Sequence, residues 1–141
     1  MLTTVTSTSA GAVSYTHKPS WSISYRWQYA GSTALFGTTS AAVAVSVRTS
    51  VTAAVSATSM KLGKTVTISG TVGPKHTGKV TLQRLSGTRW VAVTTASLTS
   101  SSNYSFKVKP TARGSYSYRV VKPADTDHAE GISTRRAVKV T

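Results

Sequence analysis

The chain repeats itself, and the repeat limits what it can fold into. Thr3–Pro19 aligns without a gap on Thr94–Pro110, so that Tyr15 falls on Phe106 and Lys18-Pro19 on Lys109-Pro110. Ser/Thr-rich sequence matches itself easily, so the aromatic and Lys-Pro matches carry the alignment. After a change of two residues in the next loop, Ser24-Tyr25-Arg26 falls on Ser117-Tyr118-Arg119. Gly37 is then set against Gly131, and Val43-Ala44-Val45 against Val138-Lys139-Val140. A period this long points to tandem domains and not to a solenoid of small units. In this register 47–141 is one complete repeat, 1–46 is the C-terminal half of an upstream copy, and the chain reads as a fragment of a longer array.

Within the complete repeat, apolar and polar residues alternate in short runs. Thr65–Val72 places Val66, Ile68 and Val72 on one face; Lys79–Leu85 does the same with Val80 and Leu82. Asn103–Lys109 alternates through Tyr104, Phe106 and Val108, and Ser115–Val121 through Tyr116, Tyr118 and Val120. Ser50–Ala57, Arg89–Thr95 and Ala137–Thr141 complete about seven strands, separated by Gly- and Pro-bearing turns at 61–64, 73–78, 110–114 and 123–131. No stretch sustains a 3.6-residue apolar period. Ser and Thr make up 46 of the 141 residues, and β-branched residues and tyrosine suit a half-buried pleated surface. The expected fold class is all-β: an antiparallel two-sheet sandwich over 47–141, with Val66, Ile68, Val80, Leu82, Phe106, Val108, Tyr118 and Val120 facing inward. A half-sandwich of about three strands precedes it, around Val13–Lys18, Ile23–Tyr29 and Ala41–Val47. There Val13, Tyr15, Ile23, Tyr25 and Trp27 have no second sheet to pack on, and unpaired edges invite self-association.

The charge is lopsided: 17 Lys/Arg against three acids, with only Lys18 and Arg26 charged before Arg48. Such a field attracts polyanions at low salt. The bases are dispersed over nearly every strand and loop, with no run longer than Arg135-Arg136, and this favours solubility and edge protection over specific nucleic-acid recognition. An anionic cell-wall polymer or acidic glycan fits the same field. There is no cysteine, so no disulfide framework or thiolate chemistry is available. No segment approaches the ~20 apolar residues of a membrane helix, so no membrane insertion is expected. Residues 1–11 lack the basic and apolar regions of a signal peptide.

Little in the sequence points to catalysis or to a cofactor. The three acids, Asp125, Asp127 and Glu130, share one loop with His128. Asp-x-Asp spacing can contribute to a calcium site, but the further ligand positions are missing, so the loop reads as a solvated turn that partly neutralises Lys122, Arg135 and Arg136. Paired-carboxylate hydrolysis needs two acids across a cleft. No Gly-x-Ser-x-Gly elbow is present. His17, His76 and His128 lie in or beside loops, and His76 within 73–78 reads as an exposed loop residue. The expectation is therefore no catalytic, cofactor-binding or metal residues, and no enzyme.

Leu62–Val72 (LGKTVTISGTV), Gly78–Arg84 with the following Trp90, Asn103–Pro110, Gly114–Val120 and His128–Gly131 together resemble the Ig-like β-sandwich repeats of secreted and cell-surface actinobacterial proteins. The resemblance implies an immunoglobulin-like topology, with Tyr116 tying the corner before the sixth strand through its hydroxyl and Tyr118 in the inward position that cysteine takes in antibodies. It also implies a spacer, stalk or attachment module beside other domains of a parent protein, located outside the cell or in the cell wall. The half repeat has Ile23 opposite Tyr116. Ser102 stands where such repeats often have the glycine kept here as Gly11, and the third strand has no tryptophan.

Overall fold

The computed structural model describes residues 2–141. The N-terminal part holds four short strands: β1 (Ile23–Tyr25), β2 (Gln28–Tyr29), β3 (Thr38–Thr39) and β4 (Val43–Val45). The alternating runs downstream become β5 (Ser50–Val51), β6 (Ala54–Val55), β7 (Ser59–Met60), β8 (Val66–Gly73), β9 (Lys79–Ser86), β10 (Arg89–Ser97), β11 (Asn103–Val108), β12 (Gly114–Lys122), β13 (Gly131–Ile132) and β14 (Arg136–Val140). No helix occurs among the described residues.

Two antiparallel sheets enclose the core. One runs β11-β8-β5, with β6 also on β8; the other runs β10-β9-β12-β14-β7, with β13 on β12. Because side chains alternate across a strand, each sheet turns one apolar row inward. Val66, Ile68, Val72, Tyr104 and Phe106 of the first sheet meet Val80, Leu82, Tyr118, Val120 and Val138 of the second in a single cluster. Of the eight residues expected inward, seven are fully buried and Val108 is half-buried against the same cluster.

The first strand departs from the expected Ser50–Ala57. It breaks at Thr52-Ala53, where Thr52 N–H donates to the Thr71 carbonyl and Thr71 N–H donates back to Thr52 Oγ1. The chain resumes on the first sheet as β6 beside β8 and only then crosses over, β7 pairing in parallel with β14 in the second. Strands that change sheets in this way close the corners of a sandwich.

The bonding of the N-terminal part recurs downstream. Thr8 N–H donates to Ala12 O, Gly11 N–H to Thr8 O, and Ala12 N–H to Thr8 Oγ1. Thr99, Ser102 and Asn103 make the same three bonds in the same order. Gly11 and Ser102 both take left-handed backbone, at φ +77° and +59°. Past the next loop the ladder β1–β4 (Ile23↔Val45, Tyr25↔Val43) repeats in β12–β14 as Tyr116↔Val138 and Tyr118↔Arg136. Likewise β2–β3 repeats in β12–β13, and the two-way Trp27–Ser40 link repeats as Val120–Ser133, each serine hydroxyl also donating to the next carbonyl. The register is constant through the last strand. Val43 therefore corresponds to Arg136 and Thr38 to Gly131, which corrects the alignment of Gly37 with Gly131 and of Val43 with Val138.

The physical reason for the glycine is local. A Cβ at Gly131 would lie 2.2 Å from Thr49 Oγ1 and 2.3 Å from its carbonyl oxygen. Thr38 meets no such neighbour strand and can be a larger residue. The expected strand at Val13–Lys18 does not form. Its counterpart β11 bonds only to β8, and 1–46 supplies no strand equivalent to β8.

Candidate functional site

Strands β9 and β12 are antiparallel neighbours with Val121 opposite Thr81. That register brings the loop entering β9 beside the loop leaving β12, at one end of the sandwich. In the first loop His76 is pinned through its main chain: its N–H donates to Ser102 Oγ at 2.6 Å, and that hydroxyl donates to His76 O at 2.9 Å. The serine at a left-handed position thus supplies a buried hydroxyl that glycine lacks. In the second loop Asp125 Oδ1 accepts the N–H groups of Asp127 and His128, at 3.1 and 2.8 Å, which fixes a tight turn.

Three side chains converge there. His76 Nε2 lies 3.2 Å from His128 Nδ1 and 3.3 Å from Asp125 Oδ2, and His128 Nδ1 lies 3.8 Å from Asp125 Oδ1. The histidine side chains are only 9% and 7% exposed, the aspartate 32%. His76 is therefore not the exposed loop residue expected, and the acidic loop is more than a solvated turn. Asp127 and Glu130 are exposed and lie outside the group. The strand order would have revealed the pairing, since two histidines 52 positions apart have no spacing signature.

Lys122 is buried, with Nζ donating to Asp125 Oδ2 at 3.0 Å and to Pro123 O at 3.1 Å. That ammonium, helped by the two backbone N–H groups and opposed by burial, holds the Asp125 carboxyl at about 2.

The basic surface is dispersed. Lys61, Lys64, Lys75, Lys107, Lys109 and Arg135 are all exposed and spread over several loops and strands. Two guanidinium–ring contacts stand on the β10-β9-β12 sheet: Arg119 lies 4.4 Å from the Trp90 ring centroid, with its Nε donating to Gln83 Oε1 at 2.7 Å, and Arg84 lies 5.8 Å from the Tyr116 centroid. A groove of about 290 Å³ lies between Val91–Val93 and Val108–Thr111, with Arg84 and Tyr116 among its walls and neither carboxylate nor imidazole in its lining. The Tyr116 hydroxyl donates to Ala112 O at 2.8 Å. His17, by contrast, sits in the N-terminal part with Nδ1 2.6 Å from the Tyr25 hydroxyl, an exposed pair at positions whose counterparts are Val108 and Tyr118.

No protein-family model matches the chain, and no curated protein matches its sequence.

Proposed function

We propose that the chain is a piece of a tandem array of immunoglobulin-like β-sandwich repeats, and that its role is mechanical: to space, display or attach another domain of a secreted or cell-surface protein. On this reading 47–141 is a complete repeat and 1–46 the C-terminal half of the preceding one. The observation that carries it is the recurrence of backbone bonding, from the Thr8 and Thr99 turns to the Trp27–Ser40 and Val120–Ser133 links. The sheet order supports the immunoglobulin-like assignment: β5, β8 and β11 on one side, β9, β10, β12 and β14 on the other, with the Tyr116 tie at the corner.

Deleting 1–46 tests the boundary. The deletion removes three bonds to the rest: Ser22 N–H to Asp127 O, Val47 N–H to Ser22 Oγ, and the Ser20 carbonyl beside His128 Nε2. At about 0.5–1.5 kcal/mol per net hydrogen bond, with partial exposure favouring the lower part of that range, the remaining domain should lose about 1.5–3 kcal/mol in urea unfolding. A loss above about 4 kcal/mol would mean that the chain is one cooperative fold.

The Arg119–Trp90 stack favours a second reading, a module that holds an anionic wall polymer or glycan on the β10-β9-β12 face. Retention on teichoic-acid-like polyphosphate or heparin would then fall steeply with salt, because each contact releases counterions. The spacer reading expects retention that vanishes near ~0.15 M salt and does not change in Trp90→Ala. Retention persisting at that salt, and lost in Trp90→Ala, would favour the binding module.

A further inference from the structure

We propose that His76, Asp125 and His128 form a three-ligand site for a divalent transition-metal ion of the zinc type, with a fourth position open to water. A carbonyl oxygen can only accept. His76 Nδ1 faces Pro74 O at 2.6 Å and His128 Nε2 faces Ser20 O at 2.7 Å, so each of these nitrogens carries its ring's proton. With both rings neutral, the opposite nitrogens, His76 Nε2 and His128 Nδ1, present lone pairs to each other at 3.2 Å, with Asp125 Oδ2 3.3 Å from the first. Three electron-pair donors meeting in a half-buried space repel one another unless a cation lies among them. Lys122 Nζ answers the carboxylate, on Oδ2, but not the imidazole pair.

The distances suit a metal. Ligands held at about 2.0–2.1 Å from a tetrahedral ion stand roughly 3.3–3.4 Å apart, and the two shorter separations here are 3.2 and 3.3 Å. The third approach, His128 Nδ1 to Asp125 Oδ1, is longer at 3.8 Å, and all three ligand atoms lie within 4.8 Å of one another, so the carboxylate must shift toward the imidazoles to close the site. Each imidazole donates its other N–H to a backbone carbonyl, the outer contact that fixes the tautomer of a metal-bound histidine. Two nitrogens and one oxygen select zinc, cobalt or nickel over magnesium and calcium, which need hard oxygen ligands. The side with the carboxylate is the open one, so water completes the shell there. An ion on His128 would also strengthen its N–H bond to Ser20, tightening the joint between the N-terminal part and the domain. Lys122 and the net charge of +14 oppose a dication, so lysine is the handle for the test.

The test is calorimetric titration of the metal-free full chain with zinc chloride, alongside thermal melts. Expected are one saturable zinc site per chain, no response to millimolar magnesium, and a rise in melting temperature of roughly 10 °C at a hundredfold excess over Kd. His76→Gln should weaken zinc binding by about a hundredfold or more. Because substitutions at buried histidines can disturb folding, Lys122→Met supplies the opposite signature: zinc should bind about tenfold tighter once the competing ammonium is gone. Absence of saturable binding at ~100 µM zinc overturns the proposal, as does binding unchanged in His76→Gln or weakened in a folded Lys122→Met. A proton shared between the two imidazoles, seen in their ¹⁵N shifts without any response to zinc, overturns it too.

Discussion

Gly70→Ala should destabilise the domain by about 3 kcal/mol or more, a larger effect than most surface or strand substitutions produce. A Cβ at Gly70 would lie 2.0 Å from the Thr52 carbonyl oxygen and 2.7 Å from the Tyr104 hydroxyl. Tyr104 stands opposite Gly70 in the β11–β8 ladder, and its hydroxyl crosses the glycine to donate to Thr52 O. The added methyl would evict both partners at once. Thr52 cannot retreat cheaply, because its N–H, hydroxyl and carbonyl are all engaged, with Thr71 and Tyr104. Tyr104 cannot turn away cheaply either: it is 4% exposed, and burial pushes its phenol up to about 12, so it stays a donor in need of an acceptor at any ordinary pH. Urea unfolding of Gly70→Ala, Tyr104→Phe and the double variant measures this. Tyr104→Phe alone should cost about 1–2 kcal/mol, and the pair should cost less than the sum because the two changes break one shared arrangement. A Gly70→Ala variant within about 0.5 kcal/mol of the parent would mean that the backbone opens freely here.

The strands that could be read from the sequence are those long enough to show alternation and buried on one face. Tyr104, Phe106 and Val108 alternate with Ser105 and Lys107, and the pattern holds because β11 has one wet face. The same logic failed at β7. Ser59-Met60 is two residues long, an exposed serine and a half-buried methionine, too short to show alternation, and its parallel pairing with Lys139 and Val140 makes it a strand. It failed at Val13–Lys18 for the reverse reason: the alternation is present, but a strand also needs a neighbour for its N–H and C=O groups. Gly37 and Gly131 share a residue type for different local reasons: a Cβ at Gly131 would meet Thr49, one at Gly37 would meet the carbonyl oxygens of Ala30 and Tyr29, so the shared glycine does not fix the register. The His76–His128 contact was out of reach because it depends on β9 lying beside β12, a long-range pairing that no local pattern encodes. The alternation through Tyr116, Tyr118 and Val120 was legible for the same reason as in β11, whereas the Tyr116 hydroxyl bond to Ala112 O is a contact that alternation alone does not encode.

Phe106→Ala should cost about 3–5 kcal/mol, while Tyr15→Ala at the matching place in the N-terminal part should cost under about 0.5 kcal/mol. The two positions share an alignment and differ in surroundings. Phe106 is 3% exposed, wedged between the sheets; Tyr15 is 46% exposed and stacks only on His17. The contrast extends to the facing sheet: Val120 is fully buried, and its counterpart Trp27 is 44% exposed. Truncating Phe106 removes the transfer energy of a buried ring and leaves a cavity that a close-packed interior fills poorly. Truncating Tyr15 returns to water a ring that was largely there already. On the proposed reading this asymmetry has one cause: the first 46 residues hold the inner face of a sandwich without the strands that would cover it, so the same phase of alternation is buried in one copy and open in the other. Urea unfolding followed by tryptophan fluorescence measures both variants. A cost above about 2 kcal/mol for Tyr15→Ala would mean that the N-terminal part packs a core of its own, and the half-repeat reading would fall with it.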